Sequence, residues 1–342
     1  MHLLSENPSL SFEIINANAR LLRVFNGGAL GDANITKIHA KRWFSEGGVS
    51  PTRRPEAEKF LRTIARHIEL ESLHLVANTA TQDTDMGAHL RQGLAYRLYQ
   101  MRASIKMPAV RDLVLENYDW RHDRQDTKSL WNWTRIVRLE LRNVPLLSFL
   151  RTVVIEEFVN LQDFTTDECK LLDMDQYDEA ISGLCRLIST AKTFRRLRTQ
   201  NLNITENPPC IAALQKHSET LFELSLRDQD HFIDNVVSNL YRHYRSDIEV
   251  LVDNFPKITD LTTDVSFGPE LDQDVERIKM LCEYRNLRRL TLYARQCYTE
   301  DVIPAPTQAM MAAAKKVKSC LLSHKQGAAF ESIELVEIGP QF

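Results

Sequence analysis

Apolar residues recur along the chain in short triplets with the spacing apolar-x-x-apolar-x-apolar. The clearest copy is Leu70, Leu73 and Leu75, which Asn78 follows. Alternation with a period of two predicts a short strand that buries one face and exposes the other. The asparagine amide can hydrogen-bond backbone groups where the chain turns. The pattern therefore predicts a strand and a turn that repeat along the chain.

Seven related triplets follow, with one early and one damaged copy. They are Val110/Leu113/Leu115, Ile136/Leu139/Leu141, Phe194/Leu197/Thr199, Leu221/Leu224/Leu226, Ile258/Leu261/Thr263, Leu287/Leu290/Leu292 and Phe330/Ile333/Leu335, with Ile35/Ile38 as the early copy and Phe158/Leu161 as the damaged one. Because apolar residues are frequent, a count of triplets is weak evidence alone, and the segments between them carry more weight.

The segments between the triplets have a helical period. Apolar residues at i, i+3, i+4 and i+7 spacings predict helices in three of them. These sets are Tyr177/Ile181/Leu184/Ile188, Ile233/Val236/Val237/Leu240/Tyr244 and Val275/Ile278/Leu281/Cys282. Within the triplets the intervening residues are polar, as at Arg138, Glu140 and Arg142. One face of each strand is therefore predicted to meet water and the other a helix layer.

A strand and a helix in each unit, with asparagine after the strand, is the pattern of leucine-rich repeats. We predict an α/β fold: a right-handed leucine-rich-repeat solenoid, or horseshoe, with a concave parallel sheet and convex helices. Its repeats are irregular, because the middle triplet positions lie 22 to 43 residues apart. Residues 1–34 are predicted to be an N-terminal cap or remnant segment, and residues 35–342 roughly eight to ten degenerate repeats.

Two segments, Leu130–Pro145 and Ile211–Asp228, resemble the repeat cores of fungal F-box/leucine-rich-repeat proteins. The resemblance implies a protein-recognition module, the substrate-recognition part of a cullin-type ubiquitin ligase, with the ligase adaptor and a substrate as partners. No Leu-Pro-x-Glu start occurs in Met1–Ile38, so an F-box is not evident. A scaffold or regulatory solenoid independent of ubiquitin stays open as the alternative.

Charge and hydropathy narrow the classes of partner. The chain has 43 Lys+Arg and 46 Asp+Glu, a formal net charge of -3, so no global basic field attracts nucleic acid or an anionic membrane. No export signal opens the chain, and no apolar run reaches the roughly 20 residues of a membrane span. We therefore expect protein partners, no membrane and no nucleic acid, and a cytoplasmic location with the nucleus as the alternative.

The predicted binding residues alternate with the buried leucines on the water-facing side of the strands. They are His74, Val114, Arg138, Glu140, Arg198, Ser225, Arg289 and Thr291, expected to form one ridge on the concave face. A partner protein would contact this ridge. Trp131 and Trp133, two residues apart before a strand, are expected to pack in the core, with an exposed anchor as the alternative.

Few residues are candidates for catalysis or for binding a metal or a phosphate. His74 has the residue type of a general base, yet a solvated strand histidine explains it more simply. His231 and Asp234 are metal-ligand types three residues apart, and acids at a helix start are the simpler explanation. Glycine pairs lack the spacing of a phosphate loop. We expect no catalytic residue, no metal, no cofactor and no enzyme activity.

Cysteines and basic runs also favour structural roles. The six cysteines include no C-x-x-C pair, which excludes a familiar zinc spacing and favours reduced, mostly buried thiols. Three basic runs are expected to be solvated faces, with phosphate contact or a nuclear-import signal as alternatives. The runs are Arg195/Arg196/Arg198, Arg288/Arg289 and Lys315/Lys316/Lys318.

Overall fold

A computed structural model provides the coordinates of the chain. It describes residues 12–15, 35–41, 64–66, 68–76, 106–116, 120, 124–167, 174–200, 202, 204, 207–227, 251–267, 275, 278–296 and 307–337. The chain divides into two compact units, Met1–Lys192 and Thr193–Phe342. Each unit is an open, all-parallel sheet whose strands pair in chain order, with helices between them. The fold class is therefore α/β.

The described residues of unit 1 form six strands. They are β1 (Phe12–Ile15), β2 (Ile35–Lys41), β3 (Ser72–Val76), β4 (Asp112–Glu116), β5 (Arg138–Arg142) and β6 (Asp163–Asp167). Each strand pairs in parallel with the next one along the chain. β1 lies in the segment that the sequence analysis assigned to a cap or remnant, and the predicted boundary at residue 34 stays a prediction.

Five strands are described in unit 2. They are β7 (Arg196–Gln200), β8 (Glu223–Arg227), β9 (Asp260–Phe267), β10 (Arg289–Gln296) and β11 (Ser332–Glu337). These too pair in parallel and in chain order. A parallel pair needs a crossover connection, which helices supply here. The alternation of strand and crossover is consistent with a leucine-rich-repeat-like arrangement.

Five α-helices and two 3-10 helices have described bounds. They are α1 (Arg124–Leu130), α2 (Leu146–Thr152), α3 (Met174–Thr190), α4 (Pro208–Gln215), α5 (Thr307–His324), η1 (Ile155–Glu157) and η2 (Met280–Glu283). α4 begins where Asn207 accepts a hydrogen bond from the Cys210 amide, 3.2 Å away, with Pro208 in the first turn. Both are common helix-start signals. α3 confirms the helix predicted around Tyr177–Ile188.

The inward side chains of neighbouring strands stack in register. In unit 1, Leu73, Leu113, Leu139 and Phe164 are register partners, and all four are fully buried. In unit 2 the corresponding stack is Leu197, Leu224, Leu261 and Leu290. Burial of a leucine side chain stabilises a fold by roughly 1.5–3 kcal/mol. These two stacks are the cores on which the strands are arranged.

One backbone hydrogen-bond pattern recurs before the strands of both units. The carbonyl of the residue preceding a strand accepts two amides at the start of the next one. Glu71 O accepts from Arg111 N and Asp112 N at 2.8 and 2.9 Å, and Arg195 O accepts from Phe222 N and Glu223 N at 3.1 and 3.3 Å. The same pattern has acceptors at Arg111, Val137, Phe222, Thr259 and Arg288. We call this pattern the carbonyl ladder. Its recurrence from strand to strand shows that each strand with its preceding turn is one copy of a structural repeat.

An aromatic residue lies three positions before the first apolar residue of several repeats. Trp133, Phe158, Phe255 and Tyr284 occupy this position, and each carbonyl accepts from the amide three residues later. Phe158 was predicted to open a damaged triplet with Leu161, and this prediction is wrong by three residues. The triplet is Leu161, Phe164 and Thr166, all buried, with Phe164 and Thr166 in β6.

The tryptophans of unit 1 pack in an aromatic cluster. Trp131 and Trp133 are buried, which confirms the core prediction. Trp133 stacks on Phe158 with ring centroids 5.1 Å apart, and Trp120 meets Phe149 of α2 edge-on at 4.8 Å. Such pairs add about 0.5–1.5 kcal/mol beyond burial. The cluster joins the segment before β5 to α2 and to Phe158 at the end of η1.

The four cysteines within the described ranges divide into two kinds. Cys282 and Cys320 are free thiols, and burial raises the pKa of Cys282 to about 11. Cys185 and Cys210 are disulfide-bonded, so the expectation of reduced thiols is wrong at these two positions.

Among the helices in the described ranges, none is long and apolar enough to cross a membrane.

Candidate binding surface

The strand side chains that alternate with the buried ones form what we call the open face of each unit. In unit 1 the register places His39, His74, Val114, Glu140 and Thr165 in one row across β2 to β6. A row two residues earlier contains Asp112, Arg138 and Asp163. A row two residues later contains Val76, Glu116, Arg142 and Asp167. These side chains are mostly half-buried.

The predicted binding residues fall on two adjacent rows in each unit. His74, Val114 and Glu140 share the middle row of unit 1, and Arg138 lies in the row before it. In unit 2, Arg198, Ser225 and Thr291 share a row with Thr262. Arg289 lies in the preceding row beside Asp260. Within each unit, residues far apart in sequence are therefore brought together.

A chain of polar contacts crosses the open face of unit 1. His74 Nε2 lies 3.3 Å from Glu116 Oε2, which lies 3.4 Å from an Arg142 guanidinium nitrogen. Arg142 Nε donates to Glu140 Oε1 at 2.7 Å, and Arg138 donates to Glu140 Oε2 at 2.8 Å. Three strands are joined by these contacts. The surface is therefore held in a defined arrangement before any partner binds.

Glu140 is the best-sheltered carboxylate of this chain of contacts, with only 6% of the residue exposed. Burial opposes its ionisation, but the hydrogen bonds and positive charges of Arg142 and Arg138 outweigh burial and lower its pKa. Glu140 is thus charged at neutral pH. Its role is to hold two partly exposed guanidinium groups on either side of the middle row.

His74 lies beside a second imidazole. The rings of His39 and His74 stack with centroids 4.0 Å apart and planes 10° apart. Burial and the neighbouring His39 lower the pKa of His74, while the hydrogen bond with Glu116 opposes the shift. His74 is therefore uncharged at neutral pH. No nucleophile or acid-base relay is assembled around it by the contacts that the structure describes.

The turn after β5 supports the rim of this face. Asn143 has a φ of 50°, a left-handed conformation that asparagine tolerates better than most residues. Its amide donates to Asp167 Oδ1 at 2.9 Å, across to the end of β6. The hydrogen bond ties the carboxyl ends of two neighbouring strands together.

Arginines dominate the open face of unit 2 near the strand starts. Arg196 and Arg198 both contact the Glu223 carboxylate, and Arg289 contacts Asp260. Toward the strand ends, the Arg227 guanidinium carbon lies 3.4 Å from the centre of the Tyr293 ring. A guanidinium over a tyrosine face is a cation–π contact that restricts both groups.

Several residues of these faces were missed by sequence reasoning. His39 follows Ile38 in the early triplet, and Glu116 and Arg142 end the strands one residue beyond the last apolar position. Glu223 and Asp260 begin β8 and β9. Alternation could have found them, because His39 lies in the middle row itself and the other four residues each lie two positions from a middle-row residue on the same strand face. Only the register between strands shows that they meet.

Comparison with known proteins adds no family. No family model matches the chain, and no curated protein matches it. Among the described residues, no group of three or more His, Cys, Asp or Glu side chains is placed to hold a metal ion. His231 and Asp234 lie outside the described residues. The surface is therefore best interpreted from its own geometry and charge.

Proposed function

We propose that this chain is a protein-recognition module of the leucine-rich-repeat type, whose partner binds the open face of the parallel strands. The supporting observation is the repetition itself. Successive strands bury leucines on one side and display rows of partly exposed polar side chains on the other. A row of side chains on rigid strands is a fixed surface, and fixed surfaces lose little conformational entropy on binding.

Within this proposal, the resemblance to F-box/leucine-rich-repeat proteins suggests a finer function. The module would be the substrate-recognition part of a cullin-type ubiquitin ligase, and the partner a substrate. The alternative is a scaffold or regulatory repeat protein independent of ubiquitin. Recovery of the ligase adaptor together with the chain separates the two.

The test compares two double variants of the full-length chain in cells of its source. Thr165→Arg with Ser225→Arg adds bulk and charge to the middle row of each open face. Ser189→Arg with Ser319→Arg makes the same chemical change on exposed positions of α3 and α5. Proteins that co-purify with the chain are quantified by mass spectrometry.

We expect the open-face variant to lose its specific partner at least about tenfold, a cost of about 1.4 kcal/mol, while the helix variant retains it. Adaptor recovered with the wild type would support the ligase function. A partner retained without adaptor would support the scaffold. If both variants retained every partner equally, binding on the open face would be wrong.

A further inference from the structure

Two of the basic runs, both in unit 2 and about 90 residues apart in sequence, lie along the same edge of the sheet, at the strand starts. The register runs from Arg196 through Glu223 and Asp260 to Arg289. Arg195 and Arg288, each one residue earlier, occupy equivalent positions of the carbonyl ladder. We call Arg195, Arg196, Arg198, Arg288 and Arg289 the arginine edge. All five are exposed.

The carboxylates in contact with the arginine edge do not neutralise it. Glu223 contacts Arg196 and Arg198, Asp260 contacts Arg289, and Glu331 contacts Arg288 and Arg289. In these contacts between described residues, three carboxylates therefore face five guanidinium groups. Arg195 forms no ion pair with any residue in the described part of the chain. An excess of positive charge collects here although the whole chain has a net charge of -3.

Donor capacity also remains on these side chains. A guanidinium group has five N–H donors in a planar fork that matches a carboxylate. The ion-paired members keep between 45% and 57% of their side chains exposed. Surface ion pairs of this kind contribute little to folding. The edge is therefore free to exchange part of its contacts for those of a partner.

From this charge excess and geometry we infer that the arginine edge binds a carboxylate-rich, extended segment of a partner protein. Adjacent strands lie about 4.8 Å apart, so Arg196 and Arg289 are separated by roughly 14 Å. An extended peptide advances roughly 3.3 Å per residue, so acidic residues about four positions apart would reach both ends. This inference rests on the proposed open-face function and names the chemistry of its partner.

The experiment uses the purified full chain and a fluorescein-labelled Gly/Ser peptide that has two Glu-Glu pairs four residues apart. Binding is followed by fluorescence anisotropy at low salt. Arg198→Gln with Arg289→Gln removes two charges from the edge. Arg151→Gln with Arg186→Gln is the matched control, because these arginines of α2 and α3 are also exposed and paired with glutamates. Circular dichroism establishes that both variants are folded.

We expect the edge variant to weaken peptide binding at least about fivefold and the control less than about twofold, with binding falling as salt rises. A peptide of the same composition with its glutamates contiguous should bind more weakly.

Equal binding by the wild type and the edge variant would overturn the inference. So would tighter binding of a single-stranded oligonucleotide of equal charge, since the edge would then be a general polyanion site. The two proposals can also fail separately. If the peptide did not bind but the Thr165→Arg/Ser225→Arg variant lost its cellular partner, the inference about the arginine edge would be wrong and the proposed function would stand.

Discussion

At the scale of single residues, His74 links the open face to pH. Its pKa is lowered in the folded chain by burial and by His39, against the opposing contact with Glu116. In the unfolded chain it titrates near its ordinary value of about 6.5. The unfolded state therefore binds the proton more strongly, and stability is lost as pH falls below about 6.5 through the folded pKa.

We accordingly expect His74→Gln to flatten the dependence of the unfolding free energy on pH between about 7 and 5. Urea unfolding at a series of pH values, followed by tryptophan fluorescence, measures it. His324→Gln is the control, since His324 is an exposed histidine of α5. An unchanged slope in the His74 variant would show that its proton is not linked to folding.

Glu140 provides a second residue-scale prediction. Because its carboxylate accepts hydrogen bonds from two arginines while nearly buried, Glu140→Gln should destabilise unit 1 by about 1–3 kcal/mol. Glu179→Gln, which removes an exposed carboxylate that is paired with one arginine, should have no measurable effect. Denaturant midpoints of the two variants provide the comparison. Equal midpoints would mean that the buried contacts of Glu140 add nothing.

At the scale of elements, the junction between α5 and β11 depends on one glycine. Gly327 has a φ of 76°, and a Cβ there would lie 2.5 Å from the Arg285 carbonyl oxygen. Gly327→Ala should therefore cost about 1–3 kcal/mol locally. Hydrogen exchange of the β11 amides should accelerate, while Ala329→Gly on the same connection leaves them unchanged. Unaltered exchange in Gly327→Ala would contradict the steric account.

Elements were predicted well where apolar spacing had one interpretation. Leu113 and Leu139 proved to be the buried middle positions of β4 and β5, and the period through Tyr177 found α3. β6 was misplaced because Phe158 and Leu161 imitate a triplet, while its true last member, Thr166, is polar. With threonine as its last member, the true triplet has no third apolar residue to distinguish it from the Phe158/Leu161 spacing.

The candidate site was predictable only in part for a related reason. Alternation tells which side chains leave the core, so His74, Ser225 and Thr291 were found on their faces. It does not tell which strand lies beside which residue. Arg142 lies 26 residues after Glu116, and Arg289 lies 29 residues after Asp260. Nothing in the sequence between them indicates that these residues are neighbours, so their pairing needed the register itself.

At the scale of the whole molecule, each unit depends on its own leucine stack. Leu290→Ala should destabilise unit 2 by about 2–5 kcal/mol, because Leu290 is fully buried. Amide exchange in β9 and β10 should accelerate accordingly. Leu322→Ala, which removes the same atoms from a side chain that is 56% exposed, should change little. Similar effects of the two substitutions would contradict the assigned core.

The carbonyl ladder has a consequence for how such a chain tolerates change during evolution. Each pair of hydrogen bonds in the ladder joins the carbonyl of the residue before one strand to two amides at the start of the next strand. The length of the connecting segment does not enter, and closing a longer loop costs little extra entropy. Insertions and deletions between strands therefore cost little stability. The connecting segments can change in length and sequence during evolution while the strands keep the same backbone arrangement.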